Sequence, residues 1–219
     1  MKLKLFAVNA TLLMAASGAM AIPVTLVGTH IDVVYEAANQ GLFGIPTLTG
    51  DSISWTPSPS FLAKTTGPKT VTSQAQITVI AHTGFDLTTF AYSEGGSYRK
   101  PTSGSLLVSA TGTVNVAGFV PPAAPISTSF STGFLPTTNG ATVPWSIVAS
   151  TISVLPHTKK VSFDVTDTLK VLGPANGFIS KTQPVLAVAV VAVPEPETVA
   201  MMLSGLFAIG FLVRRRRRD

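Results

Sequence analysis

Val161-Ser162-Phe163-Asp164-Val165-Thr166 alternates large apolar and polar side chains without a break. Successive residues of a strand point to opposite faces, so a period of two describes a ribbon with one buried and one wet face. Ile77, Val79 and Ala81, set against Thr78, Ile80 and His82, repeat the pattern. Outward from these two stretches, short β-branched or alternating runs recur at Val24–Val27, Ile31–Tyr35, Ser52–Trp55, Val71–Ile80, Phe85–Tyr92, Leu106–Val116, Trp145–Val154, Val161–Leu172 and Val185–Val193. No internal window carries a 3.6-residue period of helix length, so about nine strands are expected.

Breakers separate the runs at Gly41–Gly50, Thr65–Pro68, Gly95–Pro101, Phe119–Pro125, Gly133–Pro144 and Gly173–Gly177. The expected fold is all-β: a single antiparallel β-sandwich, jelly-roll-like, over residues 22–193. Phe119–Pro144 reads as a long crossover between its halves, and no internal repeat is present. Both Trp55 and Trp145 are expected to fill the core, where aromatic rings supply much of the buried area; exposed, either would stack on a sugar ring.

The two ends follow other rules. Lys2 and Lys4, the apolar Leu5–Met14 and the small residues Ala19 and Ala21 make a signal peptide over residues 1–21, with cleavage expected after Ala21. At the other end Pro194-Glu195-Pro196 precedes an apolar segment, residues 198–213, and the cluster Arg214, Arg215, Arg216, Arg217 and Arg218. As a helix the segment would span roughly 24 Å, short of the roughly 30 Å hydrocarbon core, with snorkelling arginines making up part of the difference. Five arginines do not enter hydrocarbon, so a single transmembrane helix with a cytoplasmic stop is expected. The prolines cannot continue a ladder and hold their neighbours extended, presenting an accessible peptide at the membrane face.

Charge accounting follows that division. The whole chain is +5, yet residues 22–193 carry Lys64, Lys69, Arg99, Lys100, Lys159, Lys160, Lys170 and Lys181 against Asp32, Glu36, Asp51, Asp86, Glu94, Asp164 and Asp167. The basic excess belongs to the ends, so nucleic acid is not an expected partner. With no cysteine, there is no disulfide framework, no thiolate nucleophile and no thiolate metal site. About 170 residues suffice for a self-supporting core.

Catalytic chemistry is thin. His30, His82 and His157 share no metal-ligand spacing, and satisfied or exposed strand histidines are expected. Asp164 and Asp167, three apart on one strand, point to opposite faces and make no acid–base pair. Glu94, before Gly95-Gly96, reads as a turn residue; Glu94, Trp55 and Trp145 are the candidate ligand contacts. No nucleophile elbow, phosphate loop or calcium loop is present, so the chain is expected to be no enzyme, with no metal and no cofactor.

The tripartite tail resembles the PEP-CTERM sorting domain of Gram-negative exported proteins. That resemblance implies a membrane-embedded cysteine transpeptidase, an exosortase, as processing partner, with Pro194, Glu195 and Pro196 as the signal and the helix and arginines as retention elements. Ala91-Tyr92-Ser93-Glu94-Gly95-Gly96-Ser97-Tyr98 is similar to a segment of β-rich members that carry Asp where Ser97 stands here, so no metal is expected at that site. The implied function is a non-enzymatic cell-surface or extracellular-matrix protein, exported through export machinery and signal peptidase, transiently anchored in the inner membrane, and associated with exopolysaccharide or biofilm. Two alternatives are an exported binding module for carbohydrate or ice, and an exported hydrolase. The ice reading requires a regular Thr array, and Thr111-x-Thr113 stands isolated in the sequence.

Overall fold

The computed structural model describes residues 22–67, 69–101, 106–148, 151–173, 176–194, 200–207 and 209. The signal segment, Ala19 and Ala21 included, Glu195 and Pro196, and the arginine cluster lie outside the described residues. Within them run β1 (Val24–Val27), β2 (Ile31–Tyr35), β3 (Pro46–Thr49), β4 (Ser52–Trp55), β5 (Leu62–Lys64), β6 (Thr70–Ala81) and β7 (Phe85–Arg99). Then come β8 (Leu107–Val120), β9 (Ile126–Ser131), β10 (Val143–Val148), β11 (Ile152–Thr158), β12 (Lys160–Leu172), β13 (Phe178–Lys181) and β14 (Val185–Ala192).

All pairings are antiparallel and fall into two sheets. One is ordered β1-β2-β6-β12-β8-β9, the other β3-β4-β14-β7-β13-β5, with β10 and β11 also paired to β7. β7 is the longest strand and the axis of its sheet: β14 then β13 flank one side, β11 then β10 the other. The alternation in Val161–Thr166 does what its period dictates. Val161, Phe163, Val165, Asp167 and Leu169 are buried, while their partners face outward or are half-exposed. In register, Phe163 sits between Ile77 of β6 and Val116 of β8, forming a continuous apolar row. Across the sandwich it meets Phe90 at 6.1 Å and Tyr92 at 6.2 Å between ring centroids.

The all-β antiparallel sandwich is present, with more strands than the expected nine. Four short strands escape a pattern search. Pro46–Thr49 lies inside a stretch that reads as a breaker, Ile126–Ser131 between two such stretches, Leu62–Lys64 is only three residues long, and Phe178–Lys181 follows Gly177. Ile126–Ser131 also divides the expected crossover Phe119–Pro144. Trp145–Val154 is two strands, β10 and β11. The largest correction concerns Gly95–Pro101: β7 runs through Gly95 and Gly96 to Arg99, so Glu94 is mid-strand and no turn forms there.

Residues 200–207 and 209 are helical, and Met201, Met202, Leu203, Leu206, Phe207 and Ile209 are all exposed. Among the described residues no helix is long and apolar enough to cross a membrane.

Phe163 is fully buried at the contact between sheets. Phe163→Ala is expected to lower unfolding free energy by about 3–5 kcal/mol in denaturant titration, the range for truncating a buried aromatic.

Candidate functional site

The glycines at the centre of β7 are required by what crosses them. Trp145 of β10 pairs with Gly96 on one side, and Lys181 of β13 pairs with it on the other. The Trp145 indole passes over the glycine, and Nε1 donates to the Ser180 carbonyl at 3.1 Å. A Cβ on Gly96 would collide with that same carbonyl oxygen and lie 2.9 Å from Nε1. At Gly95, a Cβ would lie 2.9 Å from the Trp145 carbonyl oxygen. The motif that resembles a turn is therefore a groove cut into a strand for an indole ring.

Lys181, the register partner of Gly96 on β13, is turned into the interior. Lys181 is buried, and its Nζ touches Glu94 Oε2 and stands 2.5 Å from Asp167 Oδ2 and 3.2 Å from Tyr92 Oη. Tyr92 donates to Glu94 Oε2 at 2.8 Å. Rings of Phe43, Phe61 and Tyr92 lie 4.6, 5.2 and 5.8 Å from Nζ, placing the cation against aromatic faces. Phe43 arrives on the 3-10 segment Ala37–Phe43, held to β6 by Leu42 N–H donating to Ser73 Oγ at 2.7 Å and Gln40 Nε2 donating to the Gln76 carbonyl at 2.6 Å.

One cation and two carboxyls in a dry site cannot all carry full charge at low cost. Burial pushes the Glu94 carboxyl up to about 7 against the lowering pull of the Lys181 ammonium, and Asp167 adds to the rise. Burial raises Asp167 too, opposed by Lys181, and raises Tyr92 well above the usual phenol range. Burial thus favours the protonated form of both carboxyls, against the pull of the Lys181 ammonium. Asp164 is on the opposite, outer face of β12, so the two aspartates do not meet.

Trp55, Glu94 and Trp145 contribute to the floor of one open cleft of about 980 Å³, rimmed by Ser93, Ser146 and Gln183. Each offers little surface, at 4%, 3% and 5% exposed. Trp55 Nε1 donates to Gln40 Oε1 at 3.1 Å, so both indoles spend their donors internally and present no stacking face. Their place is in the core.

Sequence spacing missed the arrangement of the histidines. Each pairs with an aspartate: His30 with Asp51 at 2.7 Å, His82 with Asp32 at 2.8 Å, and His157 with Asp86 at 3.2 Å. Lys159 also reaches Asp86 at 2.5 Å. Among the described residues no group of three or more His, Asp or Glu could hold a metal ion.

A second missed feature is on the outer face of the six-stranded sheet. Gln74, Thr166, Thr113 and Ser129 align in one cross-strand row, and Thr72, Thr168, Thr111 and Ser131 in the next. Thr72 and Thr168 share a hydroxyl hydrogen bond at 2.8 Å. Four strands far apart in sequence supply these rows, so a repeat search along the chain finds only Thr111-x-Thr113.

The ladder ends at the candidate processing signal. Ala192 pairs with Phe85, Val193 N–H donates to the Gly84 carbonyl at 2.7 Å, and Pro194, with no N–H to give, is exposed. The tail thus leaves at the end of the sandwich that carries the His–Asp pairs, since Phe85 N–H donates to the His82 carbonyl and its ring is 4.5 Å from that of His30.

Residues 192–218 match the family model of the PEP-CTERM protein-sorting motif. No curated protein matches the chain. Among solved structures, one similar chain comes from "Structure of infectious bursal disease virus Gt strain", 15% identical, covering 89% of this chain and 60% of that one, with a TM-score of 0.18. A likeness that low carries no argument about fold or function.

Two predictions follow from the geometry around β7. Gly96→Ala is expected to destabilise by about 1–3 kcal/mol in thermal or denaturant unfolding, because β13 must move off the new methyl. Glu94 is raised from 4.5 to about 7 on folding, so its protonation stabilises the fold fully at low pH and that contribution is lost as pH rises toward 7. Stability measured from pH 4.5 to 7.5 should therefore fall less steeply in Glu94→Gln than in the wild type.

Proposed function

We propose that this chain, which ends in a PEP-CTERM protein-sorting motif, is a non-enzymatic exported protein sorted to the cell surface or extracellular matrix and processed by an exosortase. The match over residues 192–218 is the observation that carries the reading. Three features support it. The last strand of the sheet ends at Ala192, and Pro194 follows it exposed. Residues 200–207 form a helix with apolar side chains exposed around it, the surface a bilayer would cover. Cleavage after Ala21 would leave Ile22 and Pro23 ahead of β1, so every described strand would stay in the mature chain.

In this reading export machinery and signal peptidase act first. The apolar helix then halts the chain in the inner membrane with Arg214–Arg218 on the cytoplasmic side, and the exosortase cuts at the Pro-Glu-Pro signal. Mass mapping of the protein from envelope and medium of its native host tests this. The mature form is expected to lack everything beyond the Pro194–Pro196 region. A Pro194→Ala, Glu195→Ala, Pro196→Ala chain is expected to accumulate uncut in the membrane fraction. Retention of Arg214–Arg218 in the wild-type mature protein would overturn the reading and leave a plain membrane anchor.

The partner of the exported domain is proposed to be exopolysaccharide, with the Thr and Ser rows on the six-stranded sheet as the contact. Those rows present hydroxyls that donate and accept, the chemistry a polyhydroxylated polymer returns. An ice surface is the alternative ligand for the same rows. Thr113→Lys with Thr168→Lys is expected to abolish co-sedimentation with host exopolysaccharide while leaving the unfolding midpoint within a few degrees. Ice-growth inhibition without polysaccharide binding would favour the alternative.

A further inference from the structure

Lys181 and Asp167 belong to opposite sheets, Lys181 as the last residue of β13 and Asp167 in the centre of β12. Nζ stands 2.5 Å from Asp167 Oδ2 with both side chains fully buried. Glu94, also fully buried, touches the same Nζ from β7. As an ion-pair network the arrangement is poor. Both Asp167 side-chain oxygens and Glu94 Oε1 lack a well-formed hydrogen bond, and a buried charge set left partly unsatisfied is costly. As a set of reactants it is complete: an amine, a carboxyl carbon within contact of it, a second carboxyl able to relay a proton, and an aromatic wall of Phe43, Phe61 and Tyr92.

We propose that this cluster is a self-processing site, where Lys181 Nζ and Asp167 Cγ condense to an intramolecular amide that bolts the two sheets together. The ammonium first passes a proton to an Asp167 oxygen, giving a neutral amine and a carboxylic acid. The nitrogen lone pair then adds to Cγ, and the carbonyl π electrons move to oxygen. Glu94 takes one proton from the nitrogen and delivers it to the Asp167 hydroxyl. That oxygen departs as water while the carbonyl re-forms. One C–N bond is made and one C–O bond broken, no electrons are gained or lost, and Glu94 is regenerated.

The surroundings favour each step. A low-polarity site prefers the neutral amine and acid to the ion pair. Fixing the two groups in contact replaces a bimolecular encounter with a unimolecular one. Water is excluded from the product, which slows hydrolysis. Condensation also removes two buried charges and leaves a neutral amide. Burial that favours the neutral acid at Asp167 acts in the same direction. In a chain with no cysteine, such a bond would supply the covalent staple that exported domains otherwise obtain from disulfides.

Intact mass spectrometry of the purified full-length chain tests the proposal, with termini established by peptide mapping. The wild type is expected to be lighter than its sequence by one water, and proteolysis is expected to release a branched peptide joining the segments that contain Asp167 and Lys181. Lys181→Arg, which keeps the charge without an amine nucleophile, and Glu94→Gln are expected to show the full sequence mass. Circular dichroism of Glu94→Gln separates loss of relay from loss of fold. A wild type at full mass, yielding linear peptides with an unmodified Lys181, overturns the proposal whatever the variants do. A fully linked Glu94→Gln chain overturns the assignment of Glu94 as proton carrier.

Discussion

A lysine ammonium buried between two β-sheets loses several kcal/mol of hydration, which only close opposite charge and aromatic faces recover. Lys181 sets that constraint here, and the neighbouring structure answers to it. Asp167 takes an inward position of β12 that alternation would otherwise give to an aliphatic residue. Glu94 takes one on β7, Phe43 and Phe61 close the site from connecting segments, and Gly96 keeps the adjacent position empty of side chain. The 3-10 segment Ala37–Phe43 is tied to β6 beside this site, so its hydrogen bonds to Ser73 and Gln76 also help keep water out.

The same strand that carries Glu94 also determines how the chain leaves the domain. β7 pairs with β14 from Ser93 opposite Val185, through a register shift between Ala189 and Val190, to Phe85 opposite Ala192, which is the last paired residue. Pro194 then falls just beyond the ladder. One pairing thus joins the sandwich to the point where the chain leaves it, and Pro194, with no N–H to give, cannot extend the ladder.

The two faces of the six-stranded sheet divide the work. Its inner face supplies apolar rows such as Ile77, Phe163 and Val116, and its outer face supplies hydroxyl rows from β6, β12, β8 and β9. Period-two alternation produces both at once: each inward valine or phenylalanine places a Thr, Ser, Asp or Asn outward. A broad polar surface is therefore a consequence of building a well-filled sandwich from long strands.

Sequence alone determined the antiparallel all-β class, since Val161–Thr166 and Ile77–His82 admit no other period, and it determined the tail, since Pro194-Glu195-Pro196, the apolar run and Arg214–Arg218 are contiguous. Local signals sufficed because both depend on neighbours in the chain. The short strands β3, β5, β9 and β13 were not legible, being held by partners and not by their own pattern. Gly95-Gly96 read as a turn because glycine permits one, and only the indole of Trp145 crossing Gly96 decided otherwise. Tertiary structure alone brought Glu94, Asp167 and Lys181 together from three strands, paired each histidine with an aspartate, and aligned the threonines. Such contacts depend on register between strands distant in sequence, and no local rule encodes it.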